Sequence, residues 1–69
     1  GQTPKQGITC AAPRNIPFNT KLQIETLGTR IVQDRLALKY NHRIDIYFSN
    51  HKEALKFGKK KLKVVIMKE

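Results

Sequence analysis

The sequence predicts a small, mainly β fold, a β-barrel with one inserted helix. Three observations predict it. Apolar residues recur with a period of two in several short runs, only one stretch carries both a helix start and a helix stop, and glycine, proline and asparagine separate the runs at short intervals. Long helices are missing, which excludes a doubly wound α/β fold. At 69 residues the chain has room for one domain, read as an arm over residues 1–7 and a core over 8–69. A domain this small buries only about 60% of its unfolded surface, so a site in it is a shallow groove and not an enclosed pocket.

Taken in order, Gly1 to Gly7 carries two glycines and a proline and reads as an arm or loop. Ile8 to Ala12 is a short strand closed by Pro13. Pro13 to Thr20 is turn chemistry, with Pro13 and Pro17 fixing φ, Asn15 and Asn19 tolerant of the left-handed region, and Ile16 and Phe18 as buried candidates. From Lys21 the pattern alternates: Leu22 and Ile24 share one face, Lys21, Gln23 and Glu25 the other. A tight turn at Leu27-Gly28-Thr29 and a β-branched run to Gln33 make residues 21–33 a hairpin. Residues 34–43 suit a loop better than a strand.

Ile44 to Phe48 is the clearest strand, with Ile44, Ile46 and Phe48 on one face and Asp45 beside Tyr47 on the other. Asn50 and Glu53 stand at capping-box spacing before Ala54, Leu55 and Phe57, and Gly58 supplies the stop, so a two-turn helix is expected over about Asn50 to Phe57. Lys61 to Met67 begins as alternation and merges into a continuous apolar run, the pattern of a strand in the middle of a closed sheet.

Fourteen Lys and Arg against five Asp and Glu give a formal charge of +9. Such an excess favours a polyanionic partner. Nucleic acid would want stacking aromatics among the cations; with Phe18, Phe48 and Phe57 assigned to the core, only Tyr40 and Tyr47 are left for it. No apolar run reaches the roughly 18–20 residues of a membrane-spanning helix, and the polar start does not read as a secretory leader. Cys10 is the only cysteine, which rules out an intrachain disulfide and a multi-cysteine metal site and leaves it a small core residue. His42 and His51 lack a third ligand at metal-site spacing, so neither a metal nor another cofactor is expected.

Two carboxylates stand out. Aspartate is depleted in strands, so Asp45 between Ile44 and Ile46 calls for a reason. One reason is a salt bridge to Arg35, Arg43 or a cross-strand lysine. The other is general-acid chemistry with Asp34 as electrostatic partner: Asp34 next to Arg35 is the ionised member, and Asp45 among apolar neighbours is the one able to hold a proton. Such an asymmetric pair suits acid cleavage of a glycosidic bond. It requires a chain reversal between residues 34 and 45.

The succession Ile16-Pro17-Phe18-Asn19-Thr20, Val32-Gln33-Asp34-Arg35, Arg43-Ile44-Asp45-Ile46-Tyr47-Phe48 and Glu53-Ala54-Leu55-Lys56-Phe57-Gly58, followed by a basic-apolar end, resembles the three-aspartate (3D) domain over about residues 7–67. That domain is a double-psi β-barrel of the membrane-bound lytic transglycosylase A and rare lipoprotein A type, found in secreted bacterial and phage-type muralytic proteins. The resemblance implies a peptidoglycan-cleaving domain within a longer secreted, cell-envelope or virion-associated protein. It implies Asp45 as the catalytic acid/base and Asp34 as its support in the substrate groove. Arg35, Lys39 and Arg43 would meet the carboxylates of the peptide stems, and Tyr47 would serve as a sugar platform.

The sequence departs from the family pattern in four places. The first family aspartate is Ala12, the Asp-Thr-Gly-Gly turn is Asp34-Arg35-Leu36-Ala37, the glycine before the Ile-Asp strand is Asn41, and the opening strand is absent or reduced to residues 1–7. A barrel lacking that strand has an edge for another segment or chain to fill. Two other functions compete with the enzyme: a non-catalytic glycan- or partner-binding barrel, and a basic nucleic-acid-binding module.

Overall fold

The computed structural model describes residues 3–67. In chain order its elements are strands β1 (Thr9–Ala12), β2 (Lys21–Ile24) and β3 (Gly28–Arg35), a 3-10 turn (Leu38–Tyr40), strand β4 (Asp45–Ile46), helix α1 (His51–Phe57) and strand β5 (Val64–Met67). The strands form one five-stranded mixed sheet in the order β4-β1-β3-β2-β5. β1 runs parallel to β3, and the other three pairings are antiparallel.

The hairpin follows from local chemistry. β2 alternates as expected, with Leu22 and Ile24 buried and Lys21 and Gln23 exposed. The reversal comes two residues earlier than the turn residues suggested, over Glu25 to Leu27, with Leu27 N–H donating to Ile24 C=O at 3.0 Å. Gly28 opens β3 at φ +87°, a backbone region that favours glycine. β3 also continues through Asp34 and Arg35, two residues expected in the following loop.

α1 matches its signals. Asn50 accepts from Lys52 N–H at 2.8 Å and Glu53 N–H at 3.4 Å, and Gly58 closes the helix at φ +63°. The Glu53 carboxylate reaches across to the N-terminal arm and accepts from Gln6 Nε2 at 2.9 Å, while Gln6 Oε1 accepts from the Ser49 amide at 3.0 Å. These bonds hold the arm against the start of α1, and Phe48 packs its ring 5.3 Å from that of Phe57 behind it.

The fully buried apolar core is small: Cys10, Ala12, Leu22, Ile24 and Val32, with Ile16, Leu27, Ile44, Ile46 and Leu62 packed against it. Three sequence expectations change here. Phe18 is 52% exposed, because its ring lies under the Arg35 guanidinium at 4.0 Å and not in the core. The strand expected over 44–48 contracts to Asp45–Ile46. The apolar run Val64 to Met67 forms an edge strand and not a central one. The sheet is therefore open among the described residues, with β4 and β5 at opposite ends, and no closed barrel forms.

Candidate functional site

Asp34 and Asp45 come together through strand β1. Ala11 is the register partner of Asp34 on β3 and of Asp45 on β4, so the three residues form one row across the sheet. Residues in register share a face, and two interstrand steps separate the aspartate Cα atoms by roughly 10 Å. Both aspartates line one open groove of about 220 Å³, together with Thr9, Ala11, Ile46 and Tyr47. The reversal between them is supplied by the 3-10 turn and the turn at Asn41 and His42 that follows it.

A β-bulge makes this arrangement work. Cys10 pairs with Val32, but Ala11 pairs with Asp34, so Gln33 is an extra residue in β3. Val32 and Cys10 point into the core. In an unbroken strand Asp34, two residues after Val32, would point there as well. The extra residue reverses that phase and turns Asp34 out beside Ala11. Thr9 helps secure the bulge: fully buried, its hydroxyl donates to Gln33 Oε1 and accepts from the Lys5 amide at 2.8 Å.

The two carboxylates have different partners. Asp34 is exposed and accepts from its neighbour's amide, Arg35 N–H, at 2.8 Å. Asp45 is held by Arg43. Nε lies 3.0 Å from Oδ1, out of line for a hydrogen bond, and Nη2 donates to Oδ2 at 3.3 Å. Arg43 in turn stacks over the Tyr40 ring at 3.9 Å. Of the two reasons offered for an aspartate in this strand, the ion pair is present. The apolar setting expected around Asp45 is not: Ile44 and Ile46 pack on the core face, and the carboxylate side chain is 45% exposed on the other.

The remaining site candidates divide. Tyr47 lines the groove and is fixed by its amide, which donates to Thr9 C=O at 3.2 Å. Arg35 borders the groove, but its guanidinium donates to Pro13 C=O and Ile16 C=O and covers Phe18, so it clamps the 13–18 loop. Lys39 sits exposed on the 3-10 turn, its ammonium 5.0 Å above the Tyr40 ring, and is not among the groove's lining residues. Ala12 is fully buried and belongs to the core.

Sequence reading missed Ala11 and Gln33. Ala11 is the floor between the carboxylates; nothing in its type marks it. Gln33 had a signal, since a strand that continues past Val32 would put a charged residue in the inward phase, and such a conflict announces a bulge. Among the described residues no group of three or more His, Cys, Asp and Glu could hold a metal ion. Comparison of the chain with protein-family models, curated proteins and solved structures gave no match.

Proposed function

We propose that this chain is a muralytic domain of the three-aspartate type that cleaves the MurNAc–GlcNAc bond of peptidoglycan as a lytic transglycosylase. The observation that carries the reading is the row Asp34–Ala11–Asp45, which puts both carboxylates on one groove face with a small residue between them. A shallow, solvent-open groove of this kind suits a glycan strand. Asp45 protonates the leaving glycosidic oxygen and then takes the proton of the muramyl 6-hydroxyl, whose oxygen closes a 1,6-anhydro ring without water. For this Asp45 has to be released by Arg43 on at least one oxygen, and a stem-peptide carboxylate is a competing partner for that guanidinium. Asp34 faces the developing positive charge of the sugar ring from the other side of Ala11. Tyr47, next to Asp45 on the same face, offers a ring for the sugar to lie on. A peptidoglycan substrate places the site of action in the cell envelope, reached by secretion or on a virion.

Digestion of purified sacculi tests this. Wild type is expected to release 1,6-anhydro-muropeptides, Asp45→Asn to lose at least about 100-fold in rate, the lower range of a general acid's contribution, and Asp34→Asn to lose less. No anhydro product from wild type ends the catalytic reading.

The Arg43–Asp45 pair favours a second reading, a groove that binds glycan or a partner without cleaving it. Both oxygens of Asp45 are already engaged in that pair. Under this reading wild type pellets with sacculi and releases nothing, and Asp45→Asn pellets equally well.

A further inference from the structure

β5 ends the sheet, and its outer edge pairs with no strand among the described residues. All four of its side chains, Val64, Val65, Ile66 and Met67, are 39% to 61% exposed. Folded proteins usually blunt such an edge with a charge, a proline or a bulge, and β5 contains none of these.

The backbone at this edge is oriented for pairing. Glu25 N–H donates to Lys63 C=O at 2.9 Å, and from there the register runs Ile24–Val64, Gln23–Val65, Leu22–Ile66 and Lys21–Met67. In an antiparallel ladder alternate residues turn their N–H and C=O toward the partner. Lys63, Val65 and Met67 therefore face β2, and Val64 and Ile66 face outward. The side chains of these same two residues share the sheet face of buried Ile24 and Leu22. One added strand would thus pair the open backbone groups and cover the exposed side chains together.

Charge selects the occupant. The exposed run Lys59, Lys60, Lys61 and Lys63 leads into this edge in a chain of net charge +9. A second copy would bring another +9 toward it, whereas an acidic strand is drawn in. We propose that the β5 edge is a strand-addition site for an extended segment of a partner protein in which apolar residues alternate with acidic ones. Its apolar residues cover Val64 and Ile66, and its acids face the lysines. This site lies at the opposite end of the sheet from β4 and does not depend on the groove chemistry.

The full chain is titrated with two labelled synthetic nonapeptides, one alternating valine with glutamate and one alternating valine with lysine, followed by anisotropy and by amide hydrogen exchange. In the free protein the Val64 and Ile66 amides are expected to exchange fast and those of Val65 and Met67 slowly. The glutamate peptide is expected to slow exchange at Val64 and Ile66 by about tenfold or more and to bind about tenfold or more tightly than the lysine peptide. Ile66→Pro, which removes an outward N–H and leaves the β2 ladder intact, is expected to abolish binding while Val65 stays protected. Should that variant unfold, the wild-type exchange data decide alone. Unchanged exchange at Val64 and Ile66, equal binding of the two peptides, or a self-associated dimer that excludes the peptide overturns the proposal.

Discussion

Asp45 stands between two isoleucines, and in a linear reading they desolvate it. In a strand, neighbours in sequence point to opposite faces, so Ile44 and Ile46 fill the core while the carboxylate meets Arg43. Arg43→Ala frees that carboxylate; if glycan cleavage occurs, the variant is expected to keep turnover but bind sacculi more weakly, so KM rises more than kcat falls. Cys10 shows what real burial does. With its side chain fully inside the core, desolvation pushes the thiol up from 9.0 to about 11, against a smaller downward pull from Arg30. Between those two pH values the unfolded chain releases the thiol proton and the folded chain keeps it, so folding stability falls as pH rises through that window and is unaffected below it. The loss approaches about 2–3 kcal/mol by pH 11, read as the difference between wild type and Cys10→Ala in urea titrations at a series of pH values. Thr26 is a third case. Its φ of +68° is costly for a β-branched residue, and Thr26→Asn is expected to raise stability by about 0.5–1 kcal/mol, measured by thermal melting.

At the scale of elements, with Gln33 in the strand, the bulge in β3 decides whether the groove has two carboxylates or one. The bulge absorbs Gln33, and deleting that residue makes Asp34 the next one after Val32, so an unbroken strand still pairs Asp34 with Ala11 and points it into the groove. The deletion takes away the Gln33 side chain that accepts from the buried Thr9 hydroxyl, so it is expected to cost about 1–3 kcal/mol of stability while both aspartates stay on the groove. Circular dichroism melts of wild type and the deletion variant check this. In α1, Asn50→Ala removes two bonds to backbone amides and is expected to cost about 1 kcal/mol. The cap, the stop and the β2 alternation were legible in the sequence because each is a local device whose partner lies within a few residues. The pairing Asp34–Ala11–Asp45 was not, since it depends on how three separate strands line up. Nor was the place of β5: a continuous apolar run says that both faces avoid water, and the 64–67 run is exposed on both.

Over the whole molecule of 8.0 kDa, the core among the described residues is five buried apolar residues with a ring of partly buried ones around them. A domain of this size has a stability near the low end of about 5–15 kcal/mol, and Leu22→Ala, which costs about 2–5 kcal/mol, is expected to leave it largely unfolded at 37 °C by circular dichroism. Two groups of cations behind the charge of +9 differ in their surroundings. Arg35 and Arg43 are bound into loop and ion-pair contacts near the groove, while the lysines from Lys52 to Lys63 stand on the exposed surface of α1 and the segment after it. The exposed positive charge of this half of the chain therefore lies on its lysine side.

The sheet register has a mechanical consequence. Thr9 pairs with Ile31, Ile31 with Lys21 and Lys21 with Met67, so the chain enters β1 and leaves β5 on one transverse row, three strand spacings or roughly 14 Å apart. A pull on the two ends then acts across the strands and not along them. The β2–β5 ladder is loaded at its Met67 end and opens like a zipper, one bond at a time, which makes β5 the first element to detach under tension and the domain a soft link in any tethered chain.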